Sequence, residues 1–418
     1  MALTTVTVGG GASGGHLTSV ITLPFGSGNA VLAQNLLNTI TSEELSGSTT
    51  VETYTSGAIP PAVGSNATLV VDSSTPVAFT PPAGYTTLIN EGTGPAIIMG
   101  GSTNLEVISS GTSSLTFLAG ADTNNLVLAG GGNNLFVGAP ADGGNNVFIG
   151  GAGNDTVLAG SGHDLIKMGG GHNFISLQAS DSMVLLQGED TVQAGSGHST
   201  VFAAGDAHAS TVFGGTGKLT FIGGASASTV IGGSGATTLF GGTGGGDLVG
   251  GGSGRNLLVA SPDASAATTL QGGGGRTLEL NFSGANNTLI AGPGNATLMG
   301  GLATGNNLDE LGAGKDLAVL GFGADTLVAG SGHATVVAGF GPAVFDFIKG
   351  QAGGMMKVDG FNPAADKINL HGYSADEVSR DLAHQKHHGG STLLTLSDGT
   401  KITFTNVSHL TSGDFTTN

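Results

Sequence analysis

The chain has no cysteine and no tryptophan, only 11 Lys and Arg in 418 residues, and aromatic rings at 5% of positions. Without thiols there are no disulfides, thiolate metal sites or cysteine nucleophiles. Against 29 Asp and Glu, so few cations leave a net charge of -18, which argues against nucleic acid and against insertion into or binding of anionic membranes. The scarcity of rings weakens sugar recognition by stacking. No apolar run approaches the ~18 residues of a membrane helix. The opening residues, Met1 to Val8, contain neither a basic region nor a long apolar stretch and are not expected to act as a Sec signal peptide. No Gly-x-Ser-x-Gly elbow or His-Glu-x-x-His occurs and no carboxylate pair is visible, so the chain is not expected to be an enzyme.

What the sequence has in excess is glycine, 79 residues, arranged in a unit of about nine that recurs from roughly Gly120 to Gly341. The fullest copy is Gly150-Gly151-Ala152-Gly153-Asn154-Asp155-Thr156-Val157-Leu158, followed in step by the units ending at Lys167 and Ser176. Glycines supply tight corners, and β-favouring triplets such as Thr-Val-Leu supply short strands. The middle residue of the triplet is apolar in nearly every unit, as at Val157, Ile166, Ile175 and Val192. Side chains alternate along a strand, so this residue points inward. One turn cannot bury it alone, but stacked turns make a thin continuous core. The pattern predicts an all-β parallel β-roll or β-solenoid.

Three regions follow: residues 1–90 as a small α+β N-terminal cap, 91–343 as the solenoid, and 344–418 as an α+β C-terminal cap. In the first, apolar spacing predicts a helix over 29–45. In the last, Ser374 and Glu377 form a capping box for a helix over 374–384. Strands around Leu393–Leu396 and Ile402–Phe404 then flank an Asp398-Gly399 turn as a hairpin.

The nonapeptide resembles that of the RTX, or haemolysin-type, calcium-binding repeats, GGxGxDxUx, where U is a large apolar residue. The tail resembles the end of such proteins at Val344-Phe345-Asp346-Phe347, Val358-Asp359-Gly360-Phe361, Ala365 to Leu370 and Leu410 to Phe415. The resemblance implies a parallel β-roll with two units per turn, export by a type I secretion apparatus through a C-terminal signal, and an extracellular or cell-surface location. It also implies calcium, held by aspartates of units two apart. Here Asp155 faces Asn173, Asp164 faces Ser182, Asp316 faces Ala334 and Asp325 faces Ala343, so no aspartate pair is complete. Few calcium sites are expected, with Asp155, Asp164 and Asn173 as the best remaining set.

The residue after the inward one is also apolar: Phe202, Phe213, Ile222, Ile231 and Phe240. In a two-sheet roll these point outward as stripes that another surface must cover. In a wider, three-sided coil both residues would be buried. His163, His172, His198 and His333 share one corner position and are read as exposed, without a regular ligand set. The expected function is a secreted structural protein that polymerises into a filament, sheet or biofilm matrix. The alternative is an adhesin that presents a flat Thr-rich face to polysaccharide or ice.

Overall fold

A computed structural model describes residues 2–10, 15–23, 49–139, 144–178, 181–203 and 208–416, with a few positions between 35 and 47. The chain divides into two compact units, Met1–Thr211 and Val212–Asn418. Each is a parallel β-solenoid wound from the same kind of turn, and the fold read from the repeat is the fold observed.

Within a unit, consecutive strands alternate between two sheets, and each strand pairs in parallel with the next but one. In the N-terminal unit Thr156–Ala159 lies in register between Leu135–Val137 and Phe174–Leu177. Leu165–Lys167 lies between Val147–Ile149 and Ser182–Leu185 on the other sheet. In the C-terminal unit Asn256–Val259 lies between Thr237–Phe240 and Thr277–Leu280. Parallel pairing begins upstream of the regular repeat, at Val51–Tyr54 with Ala67–Val71.

The burial pattern confirms two units per turn. Ser199–Phe202 reads buried, half-buried, buried, half-buried, and Val157, Ile166, Val201, Phe221 and Leu239 are wholly buried. Phe240, Phe213 and Ile231 are exposed. The three-sided alternative is thereby overturned, because a strict alternation of faces leaves only one of the two apolar residues inside. In the N-terminal unit the core is widened by Phe117, Phe136 and Phe148, with ring centroids 5.9 Å and 5.4 Å apart.

Glycine at the corners is a matter of space. A Cβ at Gly169 would lie 1.8 Å from the carbonyl oxygen of Gly151, and one at Gly273 would lie 1.6 Å from that of Gly251. Backbones of successive turns touch there, so any side chain would prise the turns apart.

At the N-terminal end Ala2–Gly10 and Gly15–Leu23 pair antiparallel. The helix expected over 29–45 falls mostly outside the described residues; Asn35, Asn38, Thr39 and Ser42 within it are helical. At the C-terminal end the helix is Ala375–Ala383, with Ser374 and Glu377 forming the capping box. Ser391–Thr395 and Lys401–Phe404 form the hairpin, and Gly399 takes a φ of 93° in its turn. Lys401–Phe404 also pairs in parallel with Met355–Asp359, so the hairpin finishes one sheet.

Candidate functional site

The sixth residue of each unit enters the strand from the corner, and its side chain turns inward along the stack. In the N-terminal unit the backbone N–H of Asn134 donates to Asp155 Oδ1 at 2.8 Å, that of Asp155 to Asn173 Oδ1 at 2.8 Å, and that of Asn173 to Asp190 Oδ1 at 3.3 Å. On the other sheet Asn125 donates to Asn146 Oδ1 and Asn146 to Asp164 Oδ1. Each turn therefore donates to a side chain of the following turn. One residue earlier in the unit a second, exposed ladder runs the opposite way: the N–H of Asn124 donates back to Asn104 Oδ1, Asn145 to Asn124 and His163 to Asn145. Asn suits both ladders, since it pairs a short acceptor with a tolerance for corner geometry.

Asp155 and Asp164 are buried, and desolvation raises both carboxyl pKa values against the opposing hydrogen bonds of Asn134 and Asn146 respectively. Their Oδ1 atoms serve the ladder, while Oδ2 of each has no full hydrogen bond. Asp155 Oδ2 packs closely against the backbone of Gly150, where a Cβ would sit only 2.7 Å away. A buried carboxylate oxygen without a donor is an acceptor for a cation, and calcium accepts carboxylate, amide and backbone oxygens alike. The corner chemistry thus fits calcium with one carboxylate per corner. The three residues expected to share a site do not converge. Asp155 and Asp164 stand on different sheets, and Asn173 spends its amide on the Asp155 N–H, on Gly169 O and on Asp190 Oδ1. Among the described residues no group of three His, Asp or Glu is arranged to hold a metal.

The corner histidines are exposed as expected. His172 lies 3.1 Å from Glu189 and His198 lies 3.7 Å from Asp181.

Two acids in the C-terminal unit escaped the sequence reading. Glu279 stands in the inward column between Leu258 and Leu298, and Asp309 between Leu289 and Leu327. Both are buried, and neither Glu279 oxygen nor Asp309 Oδ1 has a hydrogen-bond partner. Burial, then the charge of Asp325, pushes the Asp309 carboxyl up to about 8. Burial and the charges of Asp309 and Asp316 raise Glu279 well above the carboxylate range, offset in part by the backbone of Ile290 and Gly272. An acid in the slot of the large apolar residue was the available signal.

The outward residues divide between the two sheets. Phe202 follows Leu185 in one column of the N-terminal unit. In the C-terminal unit Ile222 and Phe240 are neighbours in the first sheet. Phe213 belongs with Ile231, whose carbonyl accepts from Gly214. From Phe240 the stripe continues through Val259, Leu280, Met299, Val319 and Val337. At the adjoining corner Leu302, Phe322 and Phe340 are also exposed, with Phe340 88% accessible and stacked on Phe322 at 5.1 Å. The matching column of the N-terminal unit, Ile89, Ile108, Leu128 and Ile149, is buried despite pointing out. Thr39, from the N-terminal segment, lines the groove beside it together with Glu106, Leu126 and Val147.

The fold and its corners define a glycine-rich parallel β-solenoid with two nonapeptide units in each turn. The family model for the RTX calcium-binding nonapeptide repeat matches the chain in four copies, over residues 140–175 and 310–341. The chain carries RTX repeats, which are calcium-binding motifs and indicate a secreted, extracellular protein. No curated protein matched the chain. No helix among the described residues is long and apolar enough to cross a membrane.

Proposed function

We propose that this protein is a non-catalytic structural component outside the cell, exported by the type I route and assembled from copies of itself. The observation that carries the reading is the contrast between the two outward columns. Ile89, Ile108, Leu128 and Ile149 are buried, whereas the column from Ile222 to Val337 in the C-terminal unit is half-buried to exposed throughout, with Phe240, Met299 and Val337 open to solvent. A contiguous apolar strip of seven strands, joined by the Leu302, Phe322 and Phe340 corner, exceeds what a dispersed soluble protein ordinarily exposes. A second copy supplies a matching strip and repeats the same spacing of turns, so its rows can register with these. Calcium acts at the corners, with Asp155 and Asp164 as its carboxylates, and tightens the winding before assembly.

Negative-stain electron microscopy and sedimentation velocity, with calcium and with a chelator, test the reading. Ordered filaments or sheets support it, and replacing Phe240, Met299 and Val337 by Ser should disperse them while the circular dichroism of the β-solenoid persists. Monodisperse particles under both conditions would refute self-assembly. Loss of calcium binding in Asp155→Asn and Asp164→Asn, read by titration calorimetry, tests the corner assignment separately.

A further inference from the structure

The edge of the first sheet in the C-terminal unit gathers positive charge in a strongly acidic chain. An open groove of ≈ 1250 Å³ runs along it, lined by Arg255, Arg276, Lys315, His333 and Lys357. Four of the chain's 11 Lys and Arg thus face one groove, although the net charge is -18.

Their placement is periodic. Asn256 pairs with Thr277 and Thr277 with Ala296, so the preceding residues Arg255, Arg276 and Asn295 stand on successive turns. Lys315 and His333 follow and are themselves register partners. Successive side chains in this column are about 4.8 Å apart, the spacing of neighbouring strands. Arg255, Arg276 and Lys315 are exposed and form no ion pair among the described residues. Lys357 is shared with Asp359 at 2.8 Å. The Asn295 carbonyl is held by the Lys315 N–H, which leaves its amide hydrogens for a ligand. Leu257, Leu278 and Leu317 form a smooth floor beside the cations.

We infer that this groove binds a linear acidic polysaccharide, laid along the stacking direction so that successive carboxylate or sulfate groups meet successive turns. Unpaired cations one and two turns apart along one column call for a ligand with anions repeated along its length, and an arginine fork is suited to carboxylate or sulfate. No Phe, Tyr or Trp lines the groove, so the base stacking on which single-stranded nucleic acid depends lacks its usual platform. The corresponding groove of the N-terminal unit provides an internal control. It is lined by Asn104, Asn124, Asn145 and Glu106, with no Lys or Arg.

The test uses the full chain in chelator, so that calcium cannot bridge acid to acid, and measures binding to polygalacturonate, neutral dextran and poly(dT) by biolayer interferometry. Polygalacturonate should bind, more weakly as salt rises, and dextran should not. Arg255→Gln with Arg276→Gln and Lys315→Gln should weaken binding by about tenfold or more at low salt. Lys386→Gln, an exposed cation elsewhere, should leave it unchanged. Equal binding of poly(dT), or a triple variant that binds polygalacturonate like the wild type with its dichroism intact, overturns the assignment. Should the triple variant lose its fold, Arg276→Glu alone decides: undiminished binding by the folded single variant refutes the groove. Because dispersed protein retains the groove, success here does not depend on the assembly reading.

Discussion

The two units wind in the same way and differ in what they place on equivalent columns. The N-terminal unit keeps an apolar interior around Phe117, Phe136 and Phe148, carries asparagines along its edge, and buries its outward column from Ile89 to Ile149. The C-terminal unit admits Glu279 and Asp309 to the interior, carries cations along the matching edge, and leaves its stripe open. Both retain the corner glycines in backbone contact and the ladders of Asn and Asp. The winding therefore rests on backbone packing and inter-turn hydrogen bonds, which free the remaining columns to diverge.

The corners should be the shared point of failure. Gly169→Ala and Gly273→Ala each drive a Cβ into a backbone oxygen, and each should cost more than about 4 kcal/mol, seen as early melting of the affected unit in limited proteolysis. Phe136→Ala should cost about 3–5 kcal/mol through an unfilled core, and the loss should appear in hydrogen exchange of the N-terminal unit alone. The acids should distinguish the units by pH. Burial holds the Asp309 carboxyl up at about 8 in the folded unit against an ordinary aspartate value of 3.8, so between those values the folded unit holds a proton that the unfolded chain has released. Stability contributed by this group is full at low pH and falls as pH rises through that window. Thermal melts should therefore show the C-terminal unit weakening from mildly acid to mildly alkaline buffer, with Asp309→Leu flattening much of the slope. The smallest effect should come from Asn124→Ala, which removes one exposed ladder bond to Asn145 at about 0.5–1.5 kcal/mol.

Much of the winding was legible in the sequence. A nine-residue period with one apolar centre specifies a coil of short parallel strands, though the burial pattern was needed to settle two sheets over three; the capping box at Ser374 and the Asp398-Gly399 turn are local signals that acted locally. The register of Asp316 with Ala334 and of Asp325 with Ala343 also followed from counting. The calcium corners were less legible. Counting places Asp155 over Asn173 but does not reveal that the amide is consumed by an N–H of the turn before it. Burial of the outward column was beyond a periodic reading as well: Ile149 and Phe240 hold equivalent strand positions, yet the first is buried and the second exposed. The column from Arg255 to His333 was countable once the strands were fixed, but insertions between units hide its period in the linear chain.

The opposed ladders give the coil a grammatical direction, in which each turn is completed by the one after it. Asp366, accepting from the N–H of Ala343, closes such a clause near the C-terminal end. A break on the C-terminal side of a turn strands a buried N–H of the inner ladder, whereas a break on the other side strands an inner oxygen and an exposed N–H of the outer ladder, both of which water can visit. The two ends of a severed coil are thus unequal: one is a template on which further turns can settle, and the other is an unfinished sentence that frays.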